Sequence, residues 1–387
     1  MEAATKNHVP KNIFLLGLTS FFTDVHSEII LPLLPLFLTN VLKASTTYIG
    51  LIEGIAESTS NIVKGFSGYL SDLTNKRKNI IVFGYVFSFI SKAILPATTS
   101  VSHVLGLRFA DRIGKGIRTS PRDALIADST HTNSYGYSFG VHRAMDTLGA
   151  IVGAGLASIL MLLLAGNIRA AFAIAAIPGI FAILSLFFVK ETRTAPSISK
   201  KITPVTDENN KKPTTLVFAG LALFYLSNIS YAFYILKLNE MGFSQKAIPI
   251  AYLIYNIVYA VLSIPAGRLS DRIGRKRVII MGIISHVFLC FGFGFAKNTF
   301  YGWMLFVLYG IVSSIVETVP KAFISDISKK EKRGSAFGGY NMIIGISTLA
   351  GNFLAGYLWD SYGADTTFFF AGFIAFLSII FFVRSIK

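Results

Sequence analysis

Five basic residues recur at helical spacing within an otherwise apolar part of the chain. They are Arg108, Arg112, Lys115, Arg118 and Arg122, separated by four, three, three and four residues. Steps of three and four keep side chains on one face of an α-helix. Charged groups in an apolar setting are costly, so they normally face counter-ions or a water-filled cavity. The stripe therefore predicts a helix face that binds carboxylates, whether these belong to the protein or to a ligand.

Acidic residues elsewhere in the chain can pair with this stripe. The set expected to take up protons consists of Asp24, Glu28, Glu53, Glu57 and Asp146, with Glu317 from the second half. Within this set Asp24 and Glu28 are four residues apart, as are Glu53 and Glu57, so each pair shares a helix face. Two interpretations stay open. The charges form either a closed network of ion pairs that packs the helices, or a proton relay with surplus cations that bind an anion.

The residues expected to contact such an anion come from both halves of the chain. The first half supplies Arg108, Arg112 and Lys115, and the second supplies Tyr231, Tyr255, Asn256 and Asn341. The second half is rich in tyrosine and amide side chains rather than cations. A cationic surface that faces a neutral, partly aromatic one suits an amphiphilic anion. No metal site is expected, because within Asp24–Glu28 only the two terminal acids share a helix face.

The elements that must position these residues are membrane-spanning helices. Hydrophobic residues make up 53% of the chain and charged residues only 14%, and apolar runs recur at the length that crosses a bilayer. The sequence predicts twelve spans, numbered here in order: 12–38, 47–70, 79–97, 102–126, 137–164, 170–189, 215–239, 246–268, 278–296, 300–325, 335–359 and 364–384. The chain is thus expected to be an all-α membrane protein without a cleaved signal peptide.

Basic residues in the loops predict the orientation in the membrane. The net charge is +16. Lys43, Arg169, Lys246 and Lys297 fall in the loops on one side, and the other loops carry far more lysine and arginine. Basic loops stay in the cytoplasm, so both termini are expected there, with the protein in the cytoplasmic (inner) membrane. Membrane orientation explains the charge better than nucleic-acid binding does.

The two halves of the chain repeat one another. A loop sequence, GRLSDRIGRK at 267–276, has a counterpart, GYLSDLTNKRK at 68–78, about half a chain length earlier. Gly274 should supply a positive φ at the turn, with Asn75 as its counterpart. Residues 1–189 and 215–387 are therefore expected to form two pseudo-symmetric six-helix bundles. The polar stretch 190–214, which contains three prolines, is expected to be a cytoplasmic linker.

At these loops the chain resembles the major facilitator superfamily of secondary transporters. That family carries Gly-x-x-x-Asp-(Arg/Lys)-x-Gly-(Arg/Lys)-(Arg/Lys) after its second helix and often again after its eighth. The copy at 267–276 fits at every position, whereas the first copy departs at Leu73 and Asn75. By resemblance the gating residues are Gly68, Asp72, Arg77, Gly267, Asp271, Arg272, Gly274 and Arg275. The resemblance implies that Asp72 docks near the start of span 11, at Gly334–Gly338.

The resemblance also concerns the coupling of transport to protons. Arg108 matches a family arginine of span 4 that takes part in proton coupling or substrate binding, but an Arg-x-x-Asp-Arg context replaces the Arg-x-x-Gln-Gly usual in drug exporters. Gly140, Gly149 and Gly153 in span 5 are similar to the antiporter signature of the family, although Ala154 stands where that signature has proline. The alternative, which we favour, is that these glycines allow close helix packing.

The sequence thus predicts a secondary transporter that works by alternating access, not an enzyme. No phosphate-binding Walker loop is present, so a proton gradient is the expected energy source and no cofactor is expected. The expected substrate is a small organic anion, such as a carboxylate or a carboxylate-type metal chelate of the siderophore kind. The alternatives are a proton-antiport exporter of an amphipathic compound or drug, and a transport-inactive membrane receptor. A monomer in the bilayer is expected.

Overall fold

The computed structural model describes residues 10–74, 76–130, 135–191, 211–327 and 333–384, and these residues fold into twelve membrane-spanning units built from α-helices. Spans 1–6 consist of Lys11–Ile30 with Leu34–Leu36 and the π-helical turn Phe37–Val41, then Thr46–Thr74, Arg77–Ala93, Val101–Asp128, Tyr135–Leu163 and Ile168–Phe187. Spans 7–12 consist of Lys211–Ser227 with Tyr231–Glu240, then Ala247–Ile273, Arg275–Phe295, Thr299–Val316 with Val319–Ile327, Arg333–Tyr362 and Ala364–Arg384. The predicted all-α fold is confirmed.

Spans 2 and 4 differ from the rest in their polarity. Among the described residues, ten helices are long and apolar enough to cross a bilayer, and these ten comprise every span except 2 and 4. Span 4 carries the basic stripe, and span 2 carries Glu53 and Glu57. The two most charged spans also pack directly against each other. Their charges are therefore shielded by neighbouring protein rather than by lipid.

Three spans are broken where the sequence prediction was continuous. Span 1 breaks after Ile30, next to Pro32, which cannot donate a helical hydrogen bond. Span 7 breaks between Ser227 and Tyr231, where the Ser230 side chain caps the second helix by accepting from the Ala232 amide at 3.3 Å. Span 10 breaks after Val316, ahead of Pro320. Such breaks leave backbone polar groups free for partners in other helices.

Small residues allow spans 1 and 5 to approach closely. A Cβ atom at Gly149 would lie 2.9 Å from the Phe21 Cα, and one at Gly153 would lie 2.8 Å from the Val25 carbonyl oxygen. Neither position has room for a side chain. The favoured explanation of these span 5 glycines, close helix packing, is therefore confirmed for these two.

The helices pack mainly with partners from the same half of the chain, but three pairs cross between the halves. Spans 1, 5 and 6 pack together, as do spans 2, 3 and 4, and in the second half span 12 packs on spans 7, 9 and 11. Across the halves, span 2 packs on span 11, span 5 on span 8, and the end of span 1 on span 7. The division at 189 and 215 stays a prediction, although the first helix of span 7 begins at Lys211, inside the predicted linker.

Spans 2 and 11 are joined at the end of the protein opposite the described chain termini. The Asp360 carboxylate near the end of span 11 accepts from the Thr46 amide at 3.0 Å and the Thr47 amide at 2.8 Å, and from both threonine hydroxyls. Further along, the Ser58 hydroxyl donates to the Gly345 carbonyl oxygen. Asp360 thus caps the first turn of span 2 from the other half of the protein.

The repeated loop after span 8 has the predicted turn. Gly274 has φ +99° and separates the helices of spans 8 and 9. The Asp271 carboxylate lies 2.5 Å from an Arg275 guanidinium nitrogen, and Arg275 also donates to the Ser270 hydroxyl at 2.5 Å. The positive φ predicted for Gly274 is confirmed. Gly267 lies in the last turns of span 8, and Arg272 is exposed at its end.

The first copy of the loop is described only in part. Arg77 pairs with Asp128 at the end of span 4, at 2.5 Å. A Cβ atom at Gly68 would lie 3.3 Å from the Ser120 Cβ, so this glycine faces span 4. Asn75 and the side chains of Asp72 and 334–338 lie outside the described part of the protein. The predicted docking of Asp72 on span 11 therefore stays a prediction.

Candidate substrate and proton site

Arg108 is the most completely paired cation of the stripe. Its Nη2 donates to both oxygens of Glu53, at 2.9 and 3.2 Å, and its Nη1 lies 3.6 Å from the Asp111 carboxylate. Arg108 is 3% exposed and Glu53 is 1% exposed. One guanidinium nitrogen thus serves both carboxylate oxygens, and this charge-assisted contact holds both side chains and neutralises the guanidinium. Arg108 thus joins spans 2 and 4 and has little free charge to offer a ligand.

The pair continues as a buried chain through the first half and into the second. Asp111 accepts from the Ser88 hydroxyl at 2.5 Å and lies 3.6 Å from the Lys92 ammonium group. Lys92 in turn donates to the Ser27 hydroxyl of span 1 at 2.7 Å. At the other end, the Ser230 hydroxyl in the break of span 7 approaches Glu53 at 3.4 Å. Lys92 was not among the predicted site residues.

Arg112 and Lys115 are less completely neutralised. Arg112 Nη2 lies 3.5 Å from the Glu57 carboxylate, whose side chain is 45% exposed. The Arg112 Nε is buried and has no hydrogen-bond partner among the described residues. Lys115 is half-buried, and no carboxylate oxygen of the described residues lies within 4 Å of its ammonium group. These two cations therefore retain the capacity to bind an anion.

The two remaining stripe residues have local partners. The Arg118 guanidinium lies over the Tyr85 ring at 3.9 Å, a cation–π contact. Arg122 pairs with its neighbour Asp123 at 2.9 Å and donates to the Ser20 hydroxyl at 3.2 Å. The shared helix face was predicted correctly, but the division of the stripe into paired and less paired cations was not.

A second polar network joins the two halves near spans 5 and 8. The Asp146 carboxylate accepts from the Ser20 hydroxyl at 2.7 Å and from Arg143 at 3.2 Å. Arg143 also donates to the Tyr259 hydroxyl of span 8 at 3.1 Å. Glu317, in the break of span 10, lies near the same tyrosine. The hydrogen bonds thus link the predicted proton-coupling residue Asp146 to span 8 through Arg143.

Asp24 of span 1 lies beside this network, near Asp146. No cation of the described residues pairs with its carboxyl group within 4 Å. Glu28, one turn further along span 1, lies near Tyr252 of span 8, and its Oε2 is buried without a hydrogen-bond partner among the described residues. Arg143, Tyr259 and Tyr252 were not among the predicted site residues. Their signal in the sequence was weak, because tyrosines near the ends of spans often anchor a protein at the membrane surface.

Tyrosines of the second half form a stacked wall. The Tyr255 ring stacks on Tyr309 with centroids 4.4 Å apart, and Tyr309 stacks on Tyr234 at 4.3 Å. Tyr252 stacks on Tyr255 at 5.5 Å and meets the ring of Tyr231 at 5.9 Å. Stacked rings of this kind hold one another in place. The predicted ligand Tyr255 therefore lies inside an aromatic cluster and is only 9% exposed.

The predicted amide ligands differ in their surroundings. The Asn256 side chain donates to the Tyr252 carbonyl oxygen of its own helix at 3.1 Å. Asn341 is half-buried, and the Tyr231 hydroxyl is buried without a hydrogen-bond partner in the described part of the chain. Asn352, which was not predicted, accepts from the Ser230 amide at 2.7 Å and so stabilises the break in span 7.

A small cavity lies apart from this site, inside the first half. It measures about 10 Å³, counted as the space open to the centre of a water molecule, and is lined by residues of spans 1, 3 and 6. His26, Tyr85 and Lys92 are its main polar residues. Both ring nitrogens of His26 lack a hydrogen-bond partner among the described residues. The space suits one water molecule that bridges these groups.

The fold and the site define a polytopic helical carrier with a charged interior, and the comparisons agree. The sequence model of the Major Facilitator Superfamily matches residues 16–244 and 216–387. An uncharacterized MFS-type transporter of Methanocaldococcus jannaschii is 40% identical over 374 residues, 95% of this chain and 93% of that protein. The chain belongs to the Major Facilitator Superfamily. It is a secondary transporter of a small molecule, embedded in a membrane, and not an enzyme.

Two further similarities concern a multidrug resistance protein and a solved transporter structure. Multidrug resistance protein 2 of Bacillus subtilis is 31% identical over 382 residues, 94% of this chain and 92% of that protein. The crystal structure of the nucleoside transporter NupG superposes with a TM-score of 0.78 at 15% identity, covering 97% of this chain and 99% of that one. At such low identity the structural similarity shows the fold alone.

Proposed function

We propose that the protein carries a small organic anion with an apolar or aromatic body, such as a carboxylate or a carboxylate-type metal chelate, by alternating access. The proposal rests on one observation: the charges of Arg112 and Lys115 are incompletely compensated by the protein. Arg112 has a single, partly exposed counter-ion at 3.5 Å, and Lys115 has no carboxylate within 4 Å among the described residues. An anion would supply the missing charge and acceptor. Tyr231 and Tyr259, which are half-buried in spans 7 and 8, offer rings for the body of the substrate.

The energy source in this proposal is the proton gradient. Asp24 and Glu28 of span 1 and Glu57 of span 2 belong to the same half of the chain as the two cations. An arginine that pairs with a carboxylate in one state and with the substrate in another lets substrate binding and protonation compete for the same cation. Glu57 is the partner of Arg112 in this conformation, at 3.5 Å, and is partly exposed.

A second candidate function is the export of an amphipathic compound or drug in exchange for protons. The observation that favours it is the relationship to multidrug resistance protein 2, which extends over nearly the whole chain. The two functions differ in the role of the cations. An exporter of neutral or cationic compounds would work without Arg112 and Lys115, whereas a carrier of anions would not.

The test begins with the thermal stability of the purified protein in the presence of organic acids, chelates and lipophilic cations, because a ligand of the folded state raises the melting temperature. We expect stabilisation by an organic acid, lost in Arg112→Gln and kept in Lys246→Gln, an exposed base in the loop before span 8. Stabilisation only by cations or neutral drugs would favour the exporter.

Flux in proteoliposomes then separates a transporter of this anion from a receptor. We expect accumulation of the stabilising acid when a pH gradient is imposed and little accumulation without one. Binding without flux under both conditions would support the transport-inactive receptor and contradict the proposal. Because glutamine cannot copy the two-pronged bond of arginine, Arg112→Gln should lose binding and not only coupling.

The orientation and assembly of the protein are part of the proposal. We place both termini and the segment 190–214 in the cytoplasm, with the protein a monomer of two six-helix halves in the cytoplasmic membrane. In this orientation the end closed by Asp360 faces outward, and the conformation is closed to the outside. A cysteine at position 199, with Cys290 replaced, should react with an impermeant reagent only after cells are permeabilised. Reaction in intact cells would overturn the orientation.

A further inference from the structure

We infer that the substrate is a diacid with separated carboxylates, one held by Arg112 and Lys115 and the other by Lys64 of span 2. The inference rests on the proposed function and narrows its substrate from organic anions in general to dianions with a charge at each end. Lys64 has no part in the site described above. It is half-buried, and its ammonium group donates to the Asn61 side-chain oxygen at 3.3 Å.

Lys64 has only a neutral partner. Asn61 lies one turn earlier on the same helix, and no carboxylate oxygen of the described residues lies within 4 Å of the Lys64 ammonium group. Lys64, Arg112 and Lys115 thus have a single carboxylate within that distance. It belongs to Glu57 and lies 3.5 Å from Arg112. A cation inside a membrane span is costly without compensation. Two of the three positive charges therefore have no paired acid and are available to a ligand.

Contacts between spans 2 and 4 fix the position of Lys64 relative to the other two cations. Glu57 of span 2 pairs with Arg112 of span 4. Two turns further along both helices, the Ser120 hydroxyl donates to the Lys64 carbonyl oxygen at 2.8 Å, so the helices run in the same direction. Glu57 and Lys64 share a helix face at this spacing. Lys64 therefore lies beyond Lys115 along the bundle, by about 5–8 Å at a rise of about 1.5 Å per residue.

The residue types suit two separate carboxylates. An arginine guanidinium can bind a carboxylate through two parallel hydrogen bonds, which fix its orientation. A lysine ammonium group is a point charge on a flexible chain, so Lys64 tolerates some variation in the position of the second group. A phosphate monoester carries both charges on one group and cannot span the offset. The three cations thus favour a diacid over a phosphate of the same charge.

The alternative is that acids of the protein compensate these cations at longer range. Asp24 of span 1 lies near Lys115, although beyond 4 Å. In that case Lys64 contributes to folding, and its removal changes the stability of the protein but not its choice between ligands. The test must therefore measure the preference between two ligands and not stability alone.

The test compares adipate with hexanoate, two acids of equal carbon number that differ by one carboxylate. Dissociation constants are obtained at neutral pH from the melting temperature of the purified full-length protein against ligand concentration. We expect the wild type to prefer adipate about tenfold, the contribution of one hydrogen bond between charged groups. The preference should disappear in Lys64→Gln, with hexanoate binding unchanged. It should persist in Lys64→Arg and in the exposed control Lys246→Gln.

A second variant neutralises Lys64 without removing it. Asn61→Asp keeps the size of the side chain and places a carboxylate where the ammonium group has its present partner, at 3.3 Å. Because the added counter-ion compensates a cation, the variant is expected to fold even if Lys64→Gln does not. We expect Asn61→Asp to lose the preference for adipate while hexanoate binding changes little. An equal loss of both acids would show a general effect of the added negative charge and would contradict the inference.

The offset between the cations is tested with diacids of different length. Malonate, whose carboxylates lie close together, should bind equally well to the wild type and to Lys64→Gln. The dependence on Lys64 should be largest among glutarate, adipate and pimelate. The same dependence for malonate, or tighter binding of butyl phosphate than of every diacid, would overturn the arrangement of two separated groups.

The outcomes distinguish this inference from the proposed function. Equal binding of adipate and hexanoate by the wild type, lost in Arg112→Gln, would keep the carrier of organic anions and overturn its narrowing to diacids. Stabilisation by lipophilic cations alone would reject both. A preference for adipate that is unchanged in Lys64→Gln and in Asn61→Asp would overturn the role of Lys64.

Discussion

The two halves of the protein share one arrangement of helices but differ in the chemistry of their interiors. In the first half, buried charges meet in ion pairs, such as Arg108 with Glu53 at 2.9 Å. In the second half, spans 7, 8 and 10 meet through stacked rings, such as Tyr255 with Tyr309 at 4.4 Å. The halves are repeats in sequence at their loops but not in the chemistry of their interiors. Duplicated backbones therefore do not require duplicated functions.

The difference has a physical consequence for how each half responds to change. A buried ion pair is directional, and the loss of one partner leaves an uncompensated charge in a medium that solvates it poorly. A stacked tyrosine loses little when its hydroxyl is removed, because the ring contacts remain. The first half is thus suited to discriminate charge, and the second half to accept variable apolar surfaces.

Among the substitutions that test this difference between the halves, we expect Glu53→Gln to cause the largest loss of stability. The substitution keeps the size of the side chain and removes the counter-charge of Arg108, which is 3% exposed. Because Asp111 still lies 3.6 Å from the guanidinium, we expect a destabilisation of about 3 kcal/mol, the low end for a broken buried pair. The measurement is the melting temperature of the purified protein in detergent.

The matched control is the double variant Glu53→Gln with Arg108→Gln. Removal of both charges should restore much of the stability, since replacing a whole buried pair by neutral groups is often tolerated. If the single variant melts like the wild type, the pair contributes nothing to the fold. Such a result would mean that Arg108, like Arg112 and Lys115, is available to bind a substrate.

Sequence patterns were sufficient to predict the spans but not their mutual rotation. Twelve spans followed from the lengths of apolar runs and the alternation of basic loops, even where spans 2 and 4 are too charged to qualify by hydropathy. The steps of three and four residues also gave the face shared by Arg108 and Arg112. Which acid each cation meets depends on how span 2 turns against span 4, and no local pattern encodes that angle.

Contacts between distant segments were also beyond local reasoning. Gly274 was predictable because a positive φ is a property of one residue in its turn. The cap on span 2 was not, because its acceptor, Asp360, lies in the other half of the chain. The break in span 7 has a local signal in Ser230, a good helix-capping residue, but its partner Asn352 comes from span 11.

The second prediction concerns the contact that joins the halves. Asp360→Ala removes the acceptor of the Thr46 and Thr47 amides. We expect the contact between spans 2 and 11 to be destabilised by about 1–2 kcal/mol, as for the loss of a helix cap. In a measurement of distances between spin labels on the adjacent ends of spans 2 and 11, the share of molecules with longer distances should increase.

Thr46→Ser is the control for this second change. It keeps a hydroxyl that can donate to Asp360, and the label distances should resemble those of the wild type. An unchanged distance distribution in Asp360→Ala would show that packing alone, through glycines such as Gly50 and Gly54, closes this end.

The third prediction compares the two copies of the loop. Gly274→Asn introduces at the second copy the residue type that the first copy has at Asn75. Asparagine tolerates the left-handed helical region, but Gly274 has ψ 139° with its φ of +99°, a combination reserved almost entirely for glycine. We expect a loss of about 1 kcal/mol in stability, measured by thermal melting. Gly267→Ala, in a helix with open space around it, should be neutral or slightly stabilising.

The smallest expected effect is that of Tyr309→Phe, the counterpart in the second half of Glu53→Gln. Both substitutions keep the size of a buried side chain and change only its polar end. The Tyr309 ring lies between Tyr234 at 4.3 Å and Tyr255 at 4.4 Å, and both stacks persist in phenylalanine. Only the hydroxyl group is removed, so we expect a change of at most about 1 kcal/mol, the usual net contribution of one hydrogen bond. Melting temperatures of the two variants, measured side by side, test the comparison directly. Equal losses would mean that the aromatic interior depends on its hydroxyl groups as strongly as the first half depends on its charges.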